Sequence, residues 1–250
     1  MPVHCSIDGG IATLVLDEPG RKNAMTPELG DALQARVAEL KSREDVRCVV
    51  LHGAGGAFSG GGDLAMLERL CTVSSDEARR FMLGFYARYL SVLDLAVPTI
   101  AAVEGAAIGA GLCLALACDV TLVQHDAKLA LNFVALGLHP GMGATYFVPR
   151  RAGAQLATKL LLTGERFDGT TAVAHRLALE AYPAGQVLPA ALALAKSFAS
   201  QPTGVSRALK QELGVDRVAL QQCLETEAAE QAKSYASVEM AERLAAAKRR

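Results

Sequence analysis

The chain has 250 residues, 51% of them hydrophobic and 20% charged, with a formal net charge of −1. That is enough chain for one compact α/β domain with a helical appendage. The balanced charge excludes a nucleic-acid binder working through a basic stripe. Lys and Arg cluster only at Lys248-Arg249-Arg250, which reads as a solvated tail. Cys5, Cys48, Cys71, Cys113, Cys118 and Cys223 show neither C-x-x-C spacing nor a His/Cys cluster of zinc type. No metal site is therefore expected, and free thiols in a reducing cytoplasm are. No signal peptide is recognised, and the apolar run 105–118 is too short and too glycine-rich to span a bilayer.

In chain order, "CSIDGGIATLVLD" (5–17) alternates and breaks at Asp8-Gly9-Gly10, which predicts a β-hairpin. An amphipathic helix is expected over 26–45, with Thr26 as N-cap, Pro27 in the first turn and Leu29, Leu33, Val37 and Leu40 on one face. "RCVVLHG" (47–53) reads as a buried strand, followed by a glycine-rich loop and a short helix opening at Asp63. A long helix is predicted over 74–95, a buried strand over 99–105, a helix from Gly111, and strands over 119–123 and 128–132. Strand, glycine loop and helix thus recur at 47–70 and 99–118, like a repeated ββα unit. From 153 onward the chain reads as helical: 153–163, 169–177, 188–200, 203–213 and 217–247. The last stretch is expected to be an arm packing on a neighbour or back onto the core.

The segment "GAAIGAGLCLALACD" (105–119) places three glycines ahead of an apolar helix with no charged side chain before Asp119. Glycine turns at helix N-termini present backbone N–H groups with little side chain in the way. Chemistry at a thioester carbonyl develops an enolate or other oxyanion, which needs two such donors. Two glycine loops on a repeated scaffold supply one each; equally, either loop alone is compatible with tight turns and close helix packing.

"RKNAM" (21–25), "GAFSGGGDL" (56–64), "PTIAAVEGAAIGAGLCLALACDV" (98–120) and "LGLHPGMGAT" (136–145) together resemble the crotonase (enoyl-CoA hydratase/isomerase) superfamily over nearly the whole chain. The resemblance implies an α/β spiral of ββα units over residues 1–190 and a C-terminal helical oligomerisation region over 191–250 that trimerises. It implies a homotrimer or hexamer acting on acyl-CoA or acyl carrier protein, with no separate cofactor and neither nucleic acid nor membrane as partner. By correspondence, the N–H groups of Gly62 and Ala110 are the oxyanion donors. Arg21, Ala24, Gly60, Gly61, Asp63 and Leu64 are expected along the CoA or pantetheine channel.

The family's hydratases use two glutamates, and their positions hold Cys113 and Phe133 here. Paired acid/base hydration is therefore disfavoured. Phe133 is expected as an apolar wall of the acyl pocket, with Asn132; Cys113 is expected there too, with simple packing between Leu112 and Leu114 as the competing reading. The apolar pair, with Asn132-Phe133 and "PGMGAT", resembles the decarboxylases of polyketide β-branching, which act on 3-methylglutaconyl thioesters. The Tyr and Lys of that subgroup fall on Met66 and Leu70, and its His near Gln231. The proton donor is thus left to His139 first, with Tyr86 and Tyr89 next; a histidine bonded to nearby backbone is the competing reading of His139. Three functions remain open: an enolate-forming decarboxylase, a hydratase or isomerase with relocated acid/base residues, and a non-catalytic thioester-binding protein.

Overall fold

The computed structural model describes residues 2–247, so the Lys248-Arg249-Arg250 cluster lies outside the described residues. Val3–Asp8 (β1) and Ile11–Leu16 (β2) form the expected hairpin, with Gly9 and Gly10 at φ of 54° and 80° in its turn. Parallel pairing then adds Cys48–Gly53 (β3), Thr99–Val103 (β4), Val120–Gln124 (β6) and Glu180–Tyr182 (β9), giving the order β1-β2-β3-β4-β6-β9. A smaller sheet holds Ala106–Ile108 (β5), Lys128–Ala130 (β7) and Arg166–Phe167 (β8). The strand expected over 99–105 ends early because Gly105 has φ of 63° and a Cβ there would stand 1.9 Å from the Gly56 carbonyl oxygen. The chain turns at that contact and enters the second sheet as β5, which has no separate signal in the sequence.

Both faces of the large sheet are covered, which is why β3 and β4 read as apolar runs rather than as alternation. Val49, Leu51, Ala101 and Val103 enter the main core. Cys48, Val50, Ile100 and Ala102 face the other way. There they meet Val187–Ala199, whose Ala191, Ala195 and Ala199 recur every fourth residue on the buried stripe. The expected domain boundary at 190/191 falls inside this helix. Its alanines complete a face of the sheet.

The helices begin at the caps the sequence offers. Pro27–Lys41 (α1) starts where the Leu29 N–H donates to Thr26 Oγ1 at 3.2 Å. Leu64–Leu70 (α2) starts where the Met66 N–H donates to Asp63 Oδ1 at 2.9 Å. Ser75–Tyr89 (α3) is capped by Ser74 and tightens into a 3₁₀ turn over Leu90–Asp94, so the helix expected over 74–95 is two pieces. Ala110–Ala117 (α4) is buried at all eight positions, as an all-round apolar helix must be.

Ala144–Ala152 (α5) has no side-chain cap of its own and escapes a reading based on caps. Ala154–Thr163 (α6), Gly169–Ala174 (α7), the sheet-covering helix Val187–Ala199 (α8) and Thr203–Leu213 (α9) follow. The stretch 217–247 divides into Arg217–Tyr235 (α10) and Val238–Ala247 (α11), with Ser237 Oγ accepting from the Met240 N–H at 3.2 Å. Leu220, Leu224, Ala228 and Tyr235 pack into the main core, so α10 folds back onto the body against α3.

Candidate active site

The residues 59–63 are held between two neighbours by single parallel bridges, Ser59 to Ala107 and Gly62 to Met25. The second bridge is made by Met25 N–H donating to Gly61 O at 2.8 Å and Asp63 N–H donating to Met25 O at 3.2 Å. In a parallel bridge the residues flanking the paired one make the bonds. Gly62 therefore turns its own N–H away from Met25. Close approach fixes this turn against the next one. Gly61 has φ of 88°, and a Cβ on it would stand 2.5 Å from Ile108 O. A Cβ on Gly111 would meet Ser59 Cβ at 2.7 Å. Ser59 Oγ braces the corner, donating to Asn23 O at 2.8 Å and accepting from the Gly61 N–H at 3.2 Å.

The second turn is Gly109, whose φ of 53° and ψ of −117° mirror an extended residue and suit glycine alone. Its N–H donates to Ala130 O at 2.8 Å, and the first bond of α4 runs from the Cys113 N–H to Gly109 O at 3.1 Å. The Ala110 N–H belongs to the unpaired first turn of that helix. Among the described residues, nothing accepts a hydrogen bond from Gly62 N–H or Ala110 N–H.

Both turns open on a cavity of about 190 Å³. Met66, Met82, Phe85, Phe133 and Leu138 give it apolar walls, and its polar side chains are Asn132, Tyr86, Gln231 and Tyr235. No acidic or basic side chain is among the described residues lining it. The Tyr86 hydroxyl donates to Gln231 Oε1 at 2.8 Å, and Gln231 Nε2 donates to His139 O at 2.8 Å. Burial pushes the Tyr86 phenol well above its ordinary pKa, with the neighbouring Glu227 carboxylate adding to the shift. Gly141 is required beside this pair, because a Cβ there would stand 2.5 Å from both Tyr86 Oη and Gln231 Nε2.

Of the residues singled out in the sequence, Gly60, Gly61, Gly62, Leu64, Ala110, Asn132 and Phe133 come together on this cavity. Arg21, Ala24 and Asp63 do not line it but adjoin the first turn. The Gly60 N–H donates to Lys22 O at 2.8 Å, and the half-exposed Arg21 pairs with Asp63 at 2.5 Å. Cys113 is off the pocket where it was expected to bind and takes its competing reading, a packed thiol. It is fully buried within α4 and off the cavity, and burial, then Glu227, push its thiol far up.

His139 is corrected in the same way. Leu138 and Gly141 face the cavity while His139 turns toward α10, its N–H donating to Ser234 Oγ at 3.1 Å. Its Nδ1–H donates to Pro140 O at 2.7 Å, which is the competing reading of this histidine. Tyr89 is also off the cavity, its hydroxyl donating to Thr26 O at 2.7 Å. Tyr86 is the member of the three that reaches the cavity.

Glu227, fully buried on α10, was missed by sequence reasoning. Its carboxylate accepts from Gly143 N–H at 2.7 Å, Thr145 N–H at 2.8 Å and Thr145 Oγ1 at 2.7 Å. It thereby supplies the anion that the uncapped N-terminus of α5 lacks. Burial nonetheless raises its pKa to about 7. The available signal was a helix start after Gly143 with no Ser, Thr, Asp or Asn cap, which calls for a distant acceptor.

The family profile for enoyl-CoA hydratase/isomerase matches residues 6–247. The chain is 40% identical over 256 residues, covering 100% of itself and 98% of the relative, to a Mycobacterium tuberculosis protein named "Probable enoyl-CoA hydratase EchA14". Among solved structures, an enoyl-CoA hydratase from Bacillus halodurans superposes with a TM-score of 0.92 at 28% identity, covering 98% of this chain and 100% of that one. OdaA of Pseudomonas aeruginosa superposes with a TM-score of 0.90 at 28% identity, covering 100% and 99%. With two unclaimed N–H donors over one apolar cavity and a match along nearly its whole length, the chain belongs to the enoyl-CoA hydratase/isomerase, or crotonase, family.

Proposed function

We propose that the protein decarboxylates a 3-methylglutaconyl-type thioester, held on CoA or on an acyl carrier protein, through an enolate bound by Gly62 N–H and Ala110 N–H. The observation that carries this reading is a cavity with two unsatisfied backbone donors and no lining carboxylate. The thioester carbonyl oxygen sits between the donors, which bind it more strongly as it gains charge. The bond to the departing carboxylate breaks, CO₂ leaves, and the electron pair spreads through the dienolate onto that oxygen. A proton then returns to carbon from the Tyr86 hydroxyl or from water. Tyr86 and Tyr235 are the phenols on the cavity; the Tyr235 hydroxyl is turned to Met82 Sδ at 3.5 Å, whereas Gln231 holds the Tyr86 hydroxyl in place. Apolar walls favour loss of the charged carboxylate over its retention. Arg21 and Asp63, at the first turn, are proposed to border the pantetheine arm.

Hydration of an enoyl thioester is the second reading, favoured by the name of the 40%-identical relative. It needs a general base that the cavity does not show. Mass spectrometry of the purified protein with 3-methylglutaconyl-CoA and crotonyl-CoA separates the two. Loss of CO₂ from the first with crotonyl-CoA unchanged is expected; efficient addition of water to crotonyl-CoA with no decarboxylation overturns the proposal. The assembly is proposed to be a homotrimer or a pair of trimers. No described helix is long and apolar enough to cross a membrane. The unpaired thiols agree with the cytoplasm as the setting.

A further inference from the structure

Asn132 is a polar side chain on an otherwise apolar wall. Among the described residues, nothing hydrogen-bonds its carboxamide. A Cβ built on Gly109 would stand 3.6 Å from Asn132 Oδ1 and 3.7 Å from Phe133 Cζ, so both side chains lie against the second turn. The backbone beneath it is rigid. β5 and β7 pair Ile108 with Ala130, and the Gly109 N–H extends the ladder to Ala130 O at 2.8 Å. Ala110 and Asn132 therefore each follow the same rung by two residues. A Cβ on Gly164 would stand 3.2 Å from Asn132 Cα, so the backbone is confined from the other side as well.

The other polar side chains of the cavity have partners within the protein: Tyr86 and Gln231 bond each other and His139 O, and the Tyr235 hydroxyl donates to Met82 Sδ at 3.5 Å. An amide can donate and accept, and leaving both capacities unused at a partly buried position is unfavourable in the empty site. The group that uses them must come with the ligand. Resting on the reading of this cavity as an acyl-thioester site, we infer that Asn132 is a positioning residue that hydrogen-bonds a polar substituent of the acyl group, a carbonyl, hydroxyl or carboxylate close to the thioester. The protein is then selective for oxygenated short acyl chains over hydrocarbon ones. A volume of about 190 Å³ suits such chains, since an engineered cavity of about 150 Å³ accommodates benzene.

Calorimetric titration with three CoA thioesters of equal chain length tests this: butyryl-CoA, acetoacetyl-CoA and 3-hydroxybutyryl-CoA. The wild type should bind the two oxygenated thioesters about tenfold more tightly than butyryl-CoA, the worth of one good neutral hydrogen bond. In Asn132→Ala, with folding checked by thermal melting, both ratios should collapse to about one. In Asn132→Asp, which accepts but no longer donates, the preference for 3-hydroxybutyryl-CoA should persist while that for acetoacetyl-CoA is lost. A wild type that binds butyryl-CoA equally well, or a preference that survives in Asn132→Ala, overturns the role of Asn132 and leaves the thioester reading standing. A wild type that binds none of the three overturns both.

Discussion

Ala110 is a position where one atom can be removed with little else disturbed. It is the first residue of α4, where proline is well tolerated, and Gly109 before it holds the mirror image of the extended geometry proline asks of its predecessor. Ala110→Pro should therefore fold while losing one N–H of the proposed oxyanion site. Turnover should fall by about 10²–10³, the usual cost of such a donor. Normal melting with full turnover would remove Ala110 from the mechanism. Gly61 and Gly56 make a second comparison. Both have positive φ, 88° and 73°, but a Cβ on Gly61 meets Ile108 O at 2.5 Å whereas nothing lies within 4 Å of one on Gly56. Gly56→Ala should cost about 1 kcal/mol through backbone strain alone, and Gly61→Ala clearly more, through strain plus a backbone clash. Equal costs in urea denaturation would deny that the two glycine turns are locked by contact.

At the scale of elements, α5 depends on α10 for its first turn. Glu227 replaces the missing cap, and burial holds its folded pKa near 7 against an ordinary value of 4.5. For an acid raised in this way the native state binds the extra proton between those values. Its contribution to stability is complete below about pH 4.5 and is lost as the pH rises through 7. The size of that loss is at most about 3.5 kcal/mol, from roughly 1.4 kcal/mol per pKa unit. Glu227→Gln should be less stable than wild type and should lack this decline. Denaturation midpoints across pH 4.5–8 read both effects, and parallel pH profiles for the two proteins would exclude Glu227 as the titrating group. The same helix brings Gln231 to Tyr86, so α10 closes the cavity and anchors α5 at once.

For the whole molecule, α9 is the element that a single chain leaves unpaid. None of its residues is buried, and Val205, Leu209 and Leu213 are 57%, 49% and 83% exposed. A groove of about 1160 Å³ separates it from the α4 C-terminus and α5. A stable monomer rarely leaves such an apolar helix face uncovered. Light scattering should report a trimer or hexamer at micromolar concentration, and Leu213→Glu should shift it toward smaller species. A monodisperse monomer would count against assembly through this face.

Local chemistry written in the chain was enough for much of this. The hairpin at Gly9-Gly10, the caps Thr26, Asp63 and Ser74, the buried strands β3 and β4 and the apolar α4 each follow from neighbours in sequence. So did the two glycine turns and the resemblance that sets Cys113 and Phe133 where the family's hydratases are expected to carry glutamates, because those are identities at set spacings. What only the tertiary structure decided concerns direction and long-range satisfaction. Whether His139 or Leu138 faces the cavity depends on how one turn is pinned to Ser234, 95 residues away. Whether Tyr86 or Tyr89 does depends on which hydroxyl finds Gln231 and which finds Thr26. The sequence left 217–247 to pack on a neighbour or back onto the core; for α10 the structure decides it, because Gly143, Thr145 and Tyr86 take up the buried polar groups of Glu227 and Gln231. A side chain's bonding partners across the fold are set by the packing of elements, and no local period in the sequence encodes them.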